Sequence, residues 1–179
     1  MASSHDGRVW DWVPGGPVFT TAPFGEWDGG CVFASPNLTE LPNGDFVLPY
    51  TGYSFPHKYP RRGPWKYLPG YMVLPKGRIV ALEATERGEF ATPAFLPPGR
   101  KLLINAVTAR AGSIVVEVAD LNGAPVSGRT FADAHPVIGD QYRKPVTWKG
   151  QDDLGVPDGT PVMLRFRVEK AKLFALDFE

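Results

Sequence analysis

One cysteine, three histidines and no excess of either charge are the first limits that this sequence of 179 residues sets. A single cysteine excludes an internal disulfide and any cysteine-based zinc cage. Nineteen basic residues against nineteen acidic ones leave no large positive field. A nucleic-acid partner is therefore not expected. No apolar run approaches the roughly 20 residues that cross a bilayer as a helix, so no membrane-embedded role is expected. The opening Met-Ala-Ser-Ser-His-Asp-Gly lacks the charged start and apolar stretch of a secretory signal, which fits a cytoplasmic chain or a piece of something larger. Also missing is any long apolar stripe at helical spacing.

Glycine and proline are abundant instead, at 20 and 19 residues. Prolines at this density interrupt helices, and an all-β chain rich in turns is expected. The character changes near residue 80. The first 80 residues hold 11 prolines, 14 of 22 aromatics and four of five tryptophans. The later part alternates cleanly, in runs beginning at Ile79, Lys101, Ser113, Val162 and Leu173. In Val162–Val168 the residues Val162, Leu164, Phe166 and Val168 share one face, as in a half-buried antiparallel strand. Asn122-Gly123 is the strongest hairpin signal. Five to eight short strands in about 100 residues imply a β-sandwich. The first part offers strands at Cys31–Ala34 and Asp45–Tyr53, then an aromatic, basic loop from Ser54 to Pro69 and a short strand from Gly70 to Leu74. That loop is too long for a mere connector, and loops of this length are often functional or disordered.

Several stretches resemble one family. Ser4-His5-Asp6-Gly7-Arg8-Val9-Trp10 resembles the hairpin that closes a blade in five-bladed β-propeller glycosidases. Gly25-Glu26-Trp27-Asp28-Gly29-Gly30 resembles the entry to the inner strand of the next blade, and Asp45–Tyr53 resembles that blade's second strand. Pro75–Ala84 resembles the return strand, and Gly88–Pro93, Ile138–Asp140, Val146–Gly150 and Leu164–Phe166 resemble a C-terminal sandwich. The whole is similar to the end of invertase-like and arabinanase-like glycoside hydrolases. The resemblance implies a propeller-blade-like antiparallel sheet over residues 1–80 and a jelly-roll-like β-sandwich over 81–179. It implies a carbohydrate-active protein that hydrolyses or binds a glycan. A fragment of such an enzyme would lack the acids supplied by earlier blades, so a non-catalytic binding or assembly module, or a site built between subunits, stays open.

Glycoside hydrolysis needs two carboxyls about 5 to 9.5 Å apart. Glu26 and Asp28 are the candidates, because on a strand that spacing puts both on one face roughly 7 Å apart. The competing reading is a turn capped by Asp28. His57 could act as acid or base, bind a sugar hydroxyl or ligate a metal. Trp27, Trp65, Tyr53, Tyr59 and Arg61 are the candidate substrate-binding residues, since aromatic faces with polar tips suit sugar rings. Asp6 reads as a turn residue, and Cys31 as a small buried hydrophobe. No HxH or HExxH pattern exists, so no transition-metal site is expected. Calcium is the one cofactor considered, at Asp152-Asp153 with Asp140 or Asp158. Serine-hydrolase chemistry has no Gly-x-Ser-x-Gly elbow to support it. A lone blade would leave apolar flanks and open edges, so a homo-oligomer is expected.

Overall fold

A computed structural model of the chain describes residues 1–4, 6–59 and 66–179. Among them there is no helix, and the fold is all-β with antiparallel sheets and no closed barrel. The chain divides into two compact units, Met1–Leu74 and Pro75–Glu179.

The first unit opens with a hairpin of β1 (Ala2–Ser3) and β2 (Asp11–Trp12). Asp6 organises its turn by accepting the N–H groups of Arg8 and Val9 at 2.8 and 3.0 Å. Those bonds, that of Val9 foremost, hold the Asp6 carboxyl below its usual range. Next come β3 (Cys31–Ala34), β4 (Thr39–Glu40), β5 (Phe46–Tyr53) and β6 (Tyr67–Leu74). β3 and β4 lie in line along one edge of β5, and β6 pairs its other edge over all eight residues. Pro49 in the middle of β5 is tolerated because its missing N–H points at the gap between β3 and β4. There its carbonyl accepts the Ser35 N–H at 2.8 Å. The third strand thus begins at Tyr67, three residues earlier than Gly70, and the long loop is shorter by as much. Among the described strands β6 pairs only β5, and its outer edge carries no charged residue, the kind of edge that can pair with another chain.

The second unit is built on β7 (Leu82–Ala91), β8 (Leu102–Ala119), β9 (Asp140–Pro145) and β10 (Met163–Phe178), in the order β7-β10-β8-β9. There are fewer strands than the expected five to eight, and they are longer. The runs at Lys101 and Ser113 are two halves of the single strand β8, and Ile79–Ala81 precede β7 rather than start it. Irregularities explain how long strands keep one core. In β10 the buried side chains are Leu164, Phe166 and Val168, then Ala171 and Leu173. The register shifts between Glu169 and Ala171, where Lys170 adopts φ 44°, so the inward face moves from even to odd positions. The core is completed from outside the four strands by Val137, Val146, Trp148 and Leu154. Trp148 is fully buried and donates its indole N–H to the Val116 carbonyl at 2.8 Å. The Asn122-Gly123 hairpin forms, with Gly123 at φ 79° and Asp120 accepting the Asn122 and Ala124 N–H groups.

Phe166 has no exposed surface, and its ring stacks on Phe90 at 4.6 Å, 4° from parallel. Phe166→Ala is expected to cost about 3 to 5 kcal/mol of stability in urea unfolding. A loss below about 1 kcal/mol would contradict the assignment of this face to the core.

Candidate functional site

The site is built on β5. Successive side chains on a strand point to opposite faces, so Tyr50 and Gly52 share one face while Thr51 and Tyr53 share the other. Residues directly opposite in an antiparallel pair lie on the same face. Cys31 and Tyr67 thus join Tyr53, and Phe33 joins Thr51.

On the first face Trp27 stacks on Tyr50, ring centroids 5.8 Å apart and 22° from parallel, with Phe19 on Tyr50 at 4.8 Å. Asp28 is 7% exposed and accepts the Tyr50 hydroxyl through Oδ2 at 3.0 Å. Its Oδ1 is buried with no partner among the described residues. Burial first, and then the facing carboxylate, hold the Tyr50 hydroxyl above its ordinary range. Two glycines make room for this cluster. A Cβ on Gly70 would lie 2.5 Å from the Tyr50 ring, and one on Gly52 would collide with Trp27 at 2.5 Å and with Asp28.

The second face holds a cleft of about 370 Å³ lined by Cys31, Phe33, Tyr53, Phe55, Pro56, His57, Lys58 and Lys66. The Phe33 ring meets Tyr53 edge-on at 5.6 Å and His57 at 5.2 Å. Tyr67, 64% exposed, continues the row at 5.8 Å from Tyr53. Phe33, Tyr53 and Tyr67 therefore form an aromatic row across three neighbouring strands. The wall is mostly apolar with a few polar groups, the usual make-up of a small-ligand site, and its volume falls in the same class. Comparison with models of protein families, with curated proteins and with solved structures finds no match to this chain.

The sheet thus separates residues that the sequence grouped together. His57 and Tyr53 line the cleft, whereas Asp28 and Trp27 lie on the opposite face. Glu26 and Asp28 do not stand on a strand. Residues 23–29 are turns in which Glu26 donates its N–H to Pro23 and accepts that of Gly29, both at 3.2 Å, leaving Glu26 exposed. Gly25, at φ 107°, permits that turn. Tyr59 is exposed and not among the lining residues. Trp65 and Arg61 lie outside the described residues, as does His5. Cys31 is half-buried in the cleft wall rather than in a core, its Sγ 3.5 Å from the Phe55 carbonyl. Phe33 and Lys66 were missed by sequence reasoning. The alternation Cys31, Phe33 opposite Thr51, Tyr53 was the signal for Phe33.

The calcium candidates do not assemble. Asp152 faces Lys101 at 2.6 Å, Asp153 faces Arg129 at 2.8 Å, Asp158 faces Arg100 at 3.7 Å, and Asp140 pairs with Arg78. Each carboxylate already has a cation, and no three metal-capable side chains gather among the described residues.

Gly52→Ala tests the packing of the first face. The added methyl must displace the Trp27 ring or the Asp28 side chain at its Cβ, and overpacking of this kind costs about 1 to 3 kcal/mol. A shifted tryptophan emission maximum with lowered stability is expected. An unchanged spectrum and stability would mean that Trp27 does not sit against β5.

Proposed function

We propose that the chain is a carbohydrate-active protein of glycoside-hydrolase type, and that its glycan-binding site is the aromatic cleft of the first unit. The observation that carries this reading is the row Phe33, Tyr53 and Tyr67 beside a cleft of about 370 Å³ bordered by His57. Sugar rings present apolar faces rimmed by hydroxyls, and aromatic rings with nearby polar groups match both features. Half-exposed aromatic side chains in a row also keep their apolar surface available, which burial in a core would not.

A second reading, the non-catalytic binding module, is favoured by a specific observation. None of the residues lining the cleft is a carboxylate among those described, and bond cleavage by the common route requires two. Asp28 is committed to Tyr50 on the other face. Binding is therefore the part of the reading that the cleft itself supports, and hydrolysis would draw its acids from outside that wall.

Calorimetric titration of the full chain with a panel of oligosaccharides tests this. Saturable binding is expected, weakened at least about tenfold by Tyr53→Ala, equivalent to about 1.4 kcal/mol. Affinity for no member of the panel, or an unaltered affinity in Tyr53→Ala, would remove the reading. Turnover of a chromogenic glycoside that disappears in Asp28→Asn would place the protein with the hydrolases instead of the binding modules.

A further inference from the structure

Resting on the glycan-binding reading, we propose that the ligand is an anionic glycan, bearing carboxylate or sulfate groups, and that Lys58 and Lys66 recognise its charge at the aromatic cleft.

The charge of the cleft differs from that of the rest of the molecule. Its described wall contains Lys58, Lys66 and His57 and no acidic residue. The chain as a whole balances nineteen cations against nineteen anions, so an acid-free wall is a local arrangement and not a reflection of composition. The sequence from 54 to 66 contains Lys58, Arg61, Arg62 and Lys66 with no aspartate or glutamate. In the first 74 residues only Arg8 adds another Lys or Arg, while Asp6, Asp11, Glu26, Asp28, Glu40 and Asp45 all fall outside that loop. Of these four cations Lys58 and Lys66 are among the described residues, and Arg61 and Arg62 lie outside them.

Among the described residues nothing neutralises either lysine. Neither Lys58 nor Lys66 has a carboxylate partner among the described residues. Unpaired cations in a concave, largely apolar wall focus a positive potential on whatever enters.

The backbone supplies a second, independent observation. The loop turns at Pro56–Tyr59, where the Tyr59 N–H donates to the Pro56 carbonyl at 3.0 Å. Lys58 holds the third position of that turn at φ 65°, the left-handed region that glycine occupies without strain. The chain thus keeps a cationic side chain at the one position of the turn where a side chain is least favoured. Arg143, Lys149 and Lys170 share this region of φ in the second unit, so at Lys58 the conformation fixes where the charge stands on the cleft edge.

The test titrates the full chain with three oligosaccharides of equal length, one neutral, one uronate-bearing and one sulfated, at about 20 mM and about 300 mM salt. At low salt at least one acidic sugar is expected to bind about tenfold or more tightly than the neutral one. That advantage shrinks at high salt and collapses toward one in Lys58→Gln/Lys66→Gln. Lys58→Gly, which relaxes the turn while removing the charge, should lower the advantage as well, so the loss cannot be laid to misfolding. The arm that binds identifies carboxylate or sulfate as the recognised group. Equal affinities for neutral and acidic sugars, unaffected by salt, would overturn the anionic assignment and leave the glycan reading standing. No binding by any of the three would overturn both.

Discussion

Alternation of side chains along β5 is the constraint from which the functional account follows. Because Tyr50 and Gly52 face one way and Thr51 and Tyr53 the other, one strand separates a buried acid from an aromatic cleft. Asp28 sits behind the sheet with Tyr50, over space left by Gly52 and Gly70. His57 sits in front with Phe33 and Tyr53. A slip of β5 by one residue would exchange these sets, and the eight consecutive pairs with β6 hold the register against it.

The two units also use charge differently. In Pro75–Glu179 cations meet carboxylates, often at the edge of the core. Arg129 pairs with Asp153, donates to Gln151 and lies 5.7 Å over the Trp148 ring, and Arg165 pairs with the buried Glu117 at 3.1 Å. Asp133, bonded by Lys149 and then by Thr130, is pulled down to about 2. Such groups are satisfied, and they stabilise a fold. In the first unit Lys58 and Lys66 remain without such partners among the described residues, in a wall of aromatic rings. That contrast is what the proposed recognition of an anionic ligand rests on.

Much of the fold was legible because it rests on period-2 patterning. Cys31–Ala34 forms the strand expected of it, and the face of Phe166 is the buried one. The Ser4–Trp10 stretch closes as a hairpin around Asp6, as its turn chemistry implied. What escaped were features that periodicity cannot carry. The single long strand β8 is broken in the pattern by Ala109–Gly112, four residues set against Lys170 alone, so it reads as two strands. The spacing of Glu26 and Asp28 suggested a shared strand face, but a positive-φ glycine beside them makes a turn. The site was half legible. His57 and Tyr53, named for their residue type, line the cleft, while the acids were grouped with them by closeness in sequence, although Asp28 lies behind β5 and Glu26 stays exposed in a turn. The likeness to propeller glycosidases has its support in short motifs, and the comparisons add nothing to it.

Hydrogen exchange of the full chain, with and without a saturating acidic oligosaccharide, tests the central claim most directly. Slowed exchange is expected in Cys31–Phe33, in 53–59 and at Lys66–Tyr67, with residues 75–179 unchanged. Slowing within 75–179 and none around the cleft would contradict the account.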